Sequence, residues 1–544
     1  MSKRLILAST TVASLLLARH DPAHFPSSTW TFLGISTLLL TGLFVYNAVI
    51  FPLMLSPFRH LPTPKGANWL LGHFLDIHRS ATGVPQLRWM EELPNNNGLI
   101  RYRGLFNGER IVPTSAKTLS EVLHQKSYSF IKPDFMRNGI GRILGLQGIL
   151  FSEGDEHRHQ RKLLLPAFSH SQIKNLVPTF WDVSLELTEK ISEIVSASVE
   201  TPVIDMSHWF SLATLDIIGL AGFGYQFNAL ASVKNGDATS ESGSELAQAY
   251  NTIFKTPAVA LAMHIARLVF PRWFLRLLPI KRTQEVKEAS KVVKRVSLEI
   301  IDAKKLEIAE KKAVTDRDIL SVMLKSGQYD GPGGVEIMRD QMMTFLAAGH
   351  ETTATAMIWA LYVLSLKENI HIQNRLREEI RDAFPHGIPE KVSYEQIESL
   401  KYLRNVTSEV LRIYPPVTLT ARYAAEDTTL GDQFIPKGAH IVIVPYAINR
   451  SKELWGEDAD QFRPDRWNEG QGESNYAFLT FLAGPRGCIG NVFAKLEFKC
   501  LLAAMIGKFA FVEAEEGREI VVRGGITAKP IGGIPLKVSI VEGW

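Results

Sequence analysis

The sequence predicts a mainly α-helical protein with a small β-rich lobe, preceded by an N-terminal transmembrane helix. Two observations support this fold class. Residues 25–58 contain no Asp, Glu, Lys or Arg. Beyond them, long segments carry apolar residues at helical spacing, whereas runs that are typical of strands are few and short. The chain has 544 residues, 46% of them hydrophobic, which is enough for one large core after about residue 60.

The first predicted element is a membrane anchor over residues 30–56. A helix of this length spans the ~30 Å hydrocarbon core of a bilayer, and helices this long and this apolar are rare in soluble domains. Residues 1–29 have a basic start and a short apolar run from Leu5 to Ala18. That run is either a signal-like segment or the first half of a membrane hairpin, so the anchor crosses the membrane once or twice.

A proline-rich linker, residues 57–66, separates the anchor from one large domain, residues 67–544. Helices are expected over 205–224, 283–313 and 336–366, and strands near Leu99 and from His440. Residues 269–282 mix aromatic and basic side chains, which fits either a half-buried loop or a second contact with the membrane surface.

Charge and cysteine content exclude several classes of protein. The formal net charge of +4 is too small to indicate nucleic-acid binding. The two cysteines, Cys488 and Cys500, exclude a disulfide framework and an all-cysteine zinc site. A reducing compartment facing the cytosol fits this usage.

Cys488 lies in a motif of low chance frequency. Its pattern is F-x-x-G-x-R-x-C-x-G, formed by Phe481, Gly484, Arg486, Cys488 and Gly490. Average residue usage gives a chance on the order of one in ten thousand of finding it in a chain of this length. The pattern resembles the haem-ligand loop of the cytochrome P450 superfamily, the haem-thiolate monooxygenases. The resemblance implies that the Cys488 thiolate is the axial ligand of the iron of haem b, beside Phe481, and that Arg486 pairs with a haem propionate.

A second motif is similar to the oxygen-activation segment of the same family. Within AAGHETTAT, Ala348, Gly349, Glu351 and Thr352 match [AG]-G-x-[DE]-T. By resemblance, Gly349 opens a groove for O2, Thr352 supplies a hydroxyl at the reacting oxygen, and Glu351 relays protons from solvent. Without the family context, the segment is also compatible with an amphipathic helix that has a polar stripe.

Charged residues complete the resemblance, which covers roughly residues 60–540 with its landmarks in family order. Arg161, with His157 where the family often has Trp, and Arg422 are implied propionate partners. Glu409 and Arg412, three apart on one helical face, are expected to form a structural triad with Arg466 of the segment FRPDRW.

The resemblance implies a monooxygenase that inserts one oxygen atom of O2 into an organic substrate. No G-x-G-x-x-G follows a strand, so electrons from NADPH are expected through a separate membrane-bound flavoprotein reductase. A basic face for it is expected from Arg158, Lys162, Lys495 and Lys499. The anchor places the protein in a membrane, with the endoplasmic reticulum and a cytosol-facing domain as the expected location; no nucleic-acid partner is expected.

The expected pocket walls, 129–151, 345–348 and the stretch after Pro416, are mostly apolar, which predicts a lipophilic substrate. The sequences of several segments resemble those of fungal members of the family. Such members serve either secondary metabolism, with terpenoid- or polyketide-like substrates, or detoxification. Two alternatives remain: a haem-thiolate isomerase or dehydratase that needs neither O2 nor reductase, and a non-catalytic membrane protein that binds haem or lipid. NADPH consumption with a reductase separates both from a monooxygenase.

Overall fold

The structure is a computed structural model of the chain. It describes residues 28–94, 97–233, 245–254, 281–310, 318–470, 472, 474–518, 520–522 and 527–544. Of the predicted segment 1–29, all but Ser28 and Thr29 lies outside the described residues. The same holds for most of 269–282, the segment predicted to be a half-buried loop or a second membrane contact.

Helices make up most of the described chain, as the sequence predicts. The α-helices are α1 (Ser28–Val45), α2 (Phe74–Arg79), α3 (Val84–Glu92), α4 (Ala116–Ser120), α5 (Asp134–Asn138), α6 (Gly141–Leu144), α7 (Gly154–Leu164), α8 (His170–Lys174), α9 (Val177–Ala197), α10 (Met206–Ile217), α11 (Glu245–Phe254), α12 (Lys281–Ala309), α13 (Ile319–Lys325), α14 (Gly334–Ser365), α15 (Ile370–Ala383), α16 (Tyr394–Ser399), α17 (Lys401–Ile413), α18 (Pro445–Ile448), α19 (Lys452–Trp455) and α20 (Asn491–Lys508). π-helical turns extend three of these helices, over Tyr46–Leu55, Glu121–Gln125 and Ile218–Phe223.

The strands form three small sheets. They are β1 (Leu99–Arg103), β2 (Glu109–Pro113), β3 (Phe130–Ile131), β4 (Val203–Asp205), β5 (Thr420–Ala424), β6 (Thr428–Leu430), β7 (Gln433–Ile435), β8 (His440–Ile443), β9 (Phe509–Glu513) and β10 (Pro535–Ile540). The largest sheet has the order β1-β2-β8-β5-β3, and its β2–β8 pair is parallel. The others are β4-β10-β9 and the hairpin β6-β7. The predicted fold class, helical with a small β-rich lobe, is confirmed.

Helix α14 is the centre of the helical part. Its 32 residues are apolar or small over most of its circumference, which is the pattern of a helix that packs on all sides. It begins after Gly333, whose φ of 79° is left-handed, and ends where Leu366 turns to extended backbone. Helices α10 and α20 pack against it. The predicted helices 205–224, 283–313 and 336–366 correspond to α10 with its π-turn, to α12 and to α14.

The N-terminal helix stands apart from this core. Its segment Trp30–Leu55 has 26 residues and a mean hydropathy of 2.1, and only 11% of its most apolar stretch is buried. By length and composition it is able to cross a membrane. Because most of its apolar surface is exposed, it differs from the core helix that was the alternative interpretation of this segment.

The predicted charge triad lies entirely inside the protein. Glu409 Oε1 accepts from Arg412 Nη2 at 2.8 Å and from Arg466 Nε at 2.9 Å, and none of the three side chains is exposed. Trp467 Nε1 donates to the second carboxylate oxygen at 3.0 Å. Every charge is thus paired, as burial of ions requires.

The triad also fixes the chain that leads to Cys488. Arg412 Nη1 donates to the carbonyl of Asn449 at 2.7 Å. The Asn449 amide in turn accepts from Leu479 N at 2.7 Å and donates to Thr480 Oγ1 at 2.8 Å. Thr480 immediately precedes the Phe481–Gly490 loop, so this loop starts from a position set by the triad.

We expect Glu409→Gln to lower the free energy of unfolding by about 3–5 kcal/mol, because it leaves the buried Arg412 without a counter-charge and Arg466 with Asp458 alone. Denaturant titration followed by circular dichroism measures the change. Glu299→Gln, which removes the exposed partner of Arg295, is the matched control and is expected to leave the midpoint unchanged. Equal effects of the two substitutions would contradict a bracing role for Glu409.

Candidate functional site

The loop that carries Cys488 has one fixed backbone shape. Gly484 has a φ of 70°, and a Cβ on it would lie 2.1 Å from the carbonyl oxygen of Leu123, so only glycine fits. Cys488 N donates to Phe481 O at 2.8 Å and closes the loop. Helix α20 begins at Asn491, which places its positive N-terminal end next to the cysteine.

The Cys488 thiol has solvent-accessible surface although protein surrounds it closely. Burial raises the pKa of this thiol, while the backbone N–H of Gly490 and the charges of Arg161 and Lys495 act in the opposite direction. A metal ion that displaced the thiol proton would find a thiolate supported by those same groups. Cys500, in contrast, is fully buried in α20, and its thiol has a raised pKa for the same reason of burial.

The central helix exposes surface at one place in its buried middle part. Ala348 is exposed, Gly349 and Thr352 are half-buried, and the residues on either side are buried. Ala348 and Thr352 are four apart and therefore share a face, and Thr352 Oγ1 donates to Ala348 O at 2.8 Å. The Thr352 hydroxyl thus has its proton engaged and its lone pairs directed away from the helix.

Gly349 lies at the contact between α14 and the π-turn after α10. A Cβ at this position would lie 2.8 Å from two side-chain carbons of Ile218. The glycine therefore permits close packing against Ile218. Ala348 and Thr352 lie beside it on the accessible face.

Glu351 points to a neighbouring side of the helix, towards the segment that carries Thr527 and Lys529. Its buried carboxylate accepts from Thr527 Oγ1 at 3.2 Å and lies 3.9 Å from Lys529 Nζ. The Lys529 side chain is 31% exposed. Glu351 is thereby connected through two residues to the protein surface.

Two contacts join the Cys488 loop to the central helix. The Phe168 ring lies 5.6 Å from the ring of Phe345, one turn before Ala348, and it would be 3.8 Å from a Cβ on Gly490. Deeper in the core, Thr353 Oγ1 donates to Glu497 Oε2 of α20 at 2.8 Å. The Cys488 loop is therefore linked to α14 through Phe168 and through α20.

Buried cations gather beside this loop. Arg161 donates to Gly487 O at 2.7 Å, and His157 Nδ1 lies 3.1 Å from Tyr128 Oη. Arg486 contacts Glu153 and faces the Tyr128 ring at 4.9 Å. Arg422 is buried as well and interacts electrostatically with Arg486. Phe481 is half-buried, with Lys495 Nζ 5.2 Å from its ring.

These cations repel one another. Burial and then Arg422 lower the pKa of Lys132 to about 7, and burial and then Arg486 lower the pKa of Arg422 to about 10. Burial, Arg486 and Lys132 lower the pKa of His157 to about 3. Glu153 is the acidic group that attracts both Lys132 and Arg422, and Arg486 Nε is buried without a hydrogen-bond partner in the described part of the chain.

The cluster has the chemistry that a haem group needs. The two propionate carboxylates of haem would neutralise the surplus positive charge and accept from the donor that Arg486 leaves unused. The accessible Cys488 beside the cluster would supply a sulfur ligand for the iron. The residues of this chain therefore fit haem.

Sequence reasoning missed three members of this region. Lys132 was read as pocket wall, because its partners Arg422 and Arg486 are far away along the chain. Tyr128, which contacts His157 and two arginines, had no motif around it. Glu497 is buried, with burial raising the pKa of its carboxyl well above the usual value. A lone carboxylate in the apolar run of α20 was the available signal for it.

The expected basic face is smaller than predicted. Lys499 has a 7% exposed side chain and is paired with Glu398, so it is wrong as a member of a solvated patch. Arg158 pairs with Asp155 on its own helix. Lys162 remains exposed, and Lys495 is half-buried against two phenylalanine rings.

The predicted wall 129–151 is attached to α14 by polar side chains of the helix. Gln147 N donates to Asp340 Oδ2 at 3.1 Å, and Ile149 N donates to Gln341 Oε1 at 2.9 Å. Thr344 Oγ1 donates to Leu144 O at 2.8 Å. The wall is bound to the turns of α14 that precede Ala348, and its buried apolar side chains include Leu144 and Phe151.

Comparison with known proteins agrees with this site. The cytochrome P450 family model matches residues 62–533. The cytochrome P450 monooxygenase sphH of Aspergillus fumigatus is 37% identical, over 98% of this chain and 97% of its own length. FUM15 of Gibberella moniliformis, also named a cytochrome P450 monooxygenase, is 38% identical over 91% of this chain and 90% of its own length. The cytochrome P450 monooxygenase ALT8 of Alternaria alternata is 34% identical, over 92% of this chain and 93% of its own length. With a helical fold around an accessible cysteine and relatives that are monooxygenases, the chain belongs to the cytochrome P450 family.

Proposed function

We propose that this enzyme is a membrane-anchored haem-thiolate monooxygenase that hydroxylates a lipophilic organic substrate. Electrons come from NADPH through a separate flavoprotein reductase, and the catalytic domain, residues 67–544, faces the cytosol at the endoplasmic reticulum. The observation that carries the proposal is the buried cation cluster beside the accessible Cys488 thiol, since it fits a dianionic haem that is ligated by sulfur.

Haem, when bound, supplies the centre at which O2 is bound, reduced and split. One oxygen atom enters the substrate, and the other leaves as water after taking up two electrons and two protons. The chain's own tasks are then to hold the haem, to exclude bulk water and to deliver those protons. Lys132, His157, Arg161, Arg422 and Arg486 hold the propionates, and Cys488 holds the iron.

Proton delivery is assigned to the middle of α14. Glu351 takes up protons from solvent through Lys529 and Thr527, which lie beside its carboxylate. The Thr352 hydroxyl, on the accessible face, has lone pairs that accept a hydrogen bond in the pocket, and it donates one there only when it releases Ala348 O. Ala348 keeps this face free of bulk, so that a substrate is able to approach.

Substrate class follows from the walls. The segment 139–151 and the face of α14 around Phe345 present apolar side chains, which favours a lipophilic molecule such as a terpenoid or polyketide. The relatives are fungal proteins, which supports a role in fungal secondary metabolism or in the oxidation of foreign compounds.

Cys488→Ser is expected to abolish the red-shifted, thiolate-type Soret band of the reduced carbon monoxide complex, because an alcohol is a poor ligand in place of a thiolate. The measurement is a difference spectrum of dithionite-reduced membranes. Cys500→Ala is the matched control, since that cysteine is buried away from the loop, and it is expected to retain the band. No haem signal in the wild type, or an imidazole-type band that both variants share, would contradict the proposal.

Thr352→Val is expected to lower product formation on the order of 10²-fold while NADPH oxidation with reductase continues, because the isosteric change removes the hydroxyl that guides protons. Product and NADPH are measured together. Thr355→Val removes a hydroxyl with the same bond to the carbonyl four residues before it, but in the buried part of α14. Its ratio of product to NADPH is expected to equal that of the wild type. No NADPH consumption in any variant would favour an isomerase or a non-catalytic protein.

Lys132→Met is expected to speed the transfer of haem to apomyoglobin by about tenfold or more, because it removes a charge-assisted hydrogen bond to a propionate. In the haem-free protein the same change is expected to raise stability at pH 6, since it removes a buried charge that neighbouring arginines repel. Lys437→Met, on the surface, is the control for both measurements. A slower haem loss in Lys132→Met would contradict the assignment.

A further inference from the structure

The domain-side end of the anchor helix has two different faces. Ala48, Pro52 and Ser56 are buried and lie four residues apart, so they form one stripe along the helix. Leu53 and Met54, on other faces of the same turns, are exposed. The N-terminal part, in contrast, is exposed over nearly its whole circumference.

The hairpin of β1 and β2 supplies one polar contact for each residue of this stripe. Asn107 Nδ2 donates to the carbonyl oxygen of Ala48 at 2.7 Å. The Arg101 guanidinium donates to Pro52 O. Ser56 Oγ donates at 2.6 Å to a carboxylate oxygen of Glu109, which lies 2.8 Å from Arg101 Nε.

The turn of this hairpin has an unusual backbone. Phe106 and Asn107 have φ values of 54° and 53°, a left-handed conformation that costs about 1 kcal/mol or more for such side chains. This conformation directs the Phe106 ring to Phe44 of the anchor, at 5.3 Å between centroids, and the Asn107 amide to the helix backbone. Both residues of this strained turn thus contact the helix.

Length places this contact at the membrane boundary. The 26 residues of Trp30–Leu55 form ~39 Å of helix, more than the ~30 Å of hydrocarbon, whereas the part before Ala48 spans ~27 Å. The turns that the hairpin holds therefore begin where the hydrocarbon ends. Their exposed apolar side chains, Leu53 and Met54, need an apolar neighbour at that depth.

Trp69 and Leu75 extend this apolar surface onto the domain. They are 69% and 41% exposed, and Trp69 O accepts from the same Asn107 amide at 2.6 Å. Tryptophan is enriched at the level of lipid headgroups, where its ring is half in the apolar phase. The backbone of Trp69 is thus linked to the anchor through Asn107, and Leu75 follows Trp69 closely along the chain.

We propose that the β1–β2 hairpin clasps the end of the anchor, so that anchor and catalytic domain are held as one body and Trp69 and Leu75 rest in the headgroup layer of the bilayer. The inference rests on the proposed anchoring of the chain in a membrane. It adds that the domain has one fixed orientation on the lipid surface, in place of a tether that allows it to turn.

The experiment uses the full-length protein in phosphatidylcholine vesicles that contain a phospholipid with a diazirine near its headgroup. After illumination, mass spectrometry compares two tryptic peptides, Gly66–Arg79 with Trp69 and Leu75, and Phe509–Arg518 with the exposed Val512. In the wild type we expect at least fivefold more label on the first peptide.

Substitutions at Asn107 test the clasp itself. Asn107→Gly keeps the left-handed turn and removes the amide, and Asn107→Asp places a carboxylate against two carbonyls; we expect labelling of Gly66–Arg79 to fall threefold or more in both. Asn228→Gly, at another left-handed asparagine (φ 50°), is the control and is expected to label as the wild type does. Flotation with the vesicles is expected to remain unchanged in all of them.

The outcomes distinguish a failure of the membrane anchoring from a failure of the clasp. A wild-type protein that does not float with vesicles would overturn the membrane anchoring of the proposed function. A protein that floats while both peptides are labelled equally would overturn the resting surface alone. Unchanged labelling in Asn107→Gly and Asn107→Asp, or an equal loss in Asn228→Gly, would overturn the clasp.

Discussion

One buried carboxylate, that of Glu409, determines the geometry on which the site depends. It binds the guanidinium groups of Arg412 and Arg466, which belong to different segments. Arg412 also donates to the carbonyl of Asn449, and the Asn449 side chain binds the residues just before the cysteine loop. Ions in an interior lose hydration, and the attraction between them repays this only when every partner is in place. The network therefore fixes one arrangement of the segments that it joins, and this matters more than any net gain in the free energy of unfolding. We interpret it as the reason why the Cys488 sulfur has a defined position.

The central helix combines two requirements that usually conflict. A helix that is buried on all sides is held rigidly, whereas a reacting site needs access for small molecules and protons. In α14 the two are separated along and around the axis: Ala348 and Thr352 face the open side, and Glu351 faces the chain end at Thr527. Glycine at 349 lets Ile218 approach and makes the rigid packing possible just beside the open face.

The sequence predicted those parts of the site whose signal is local. The cysteine loop, the segment around Thr352 and the i, i+3 pair of Glu409 and Arg412 are short patterns with a physical reason. The membership of Lys132 in the cation cluster could not be predicted, because Arg422 and Arg486, its neighbours in the cluster, are almost 300 residues or more away along the chain. The contact of Gly349 with Ile218 could not be predicted, since a glycine in a helix does not indicate which neighbour occupies the space. Lys499 was read as solvated because its partner Glu398 is a hundred residues distant.

The attachment of the pocket wall to α14 has a consequence for how such enzymes diversify. The bonds from Asp340, Gln341 and Thr344 reach backbone atoms of residues 144–149, and none of them depends on a wall side chain. Gly145 and Gly148 are constrained, because a Cβ on either would lie 2.6 Å from Asp340 or Thr344 side-chain atoms, respectively. The other wall side chains take no part in these three bonds, so a change of side chain there leaves the bonds intact. Mutation is thus able to explore new molecular shapes in this wall without disturbing the frame that carries out the chemistry.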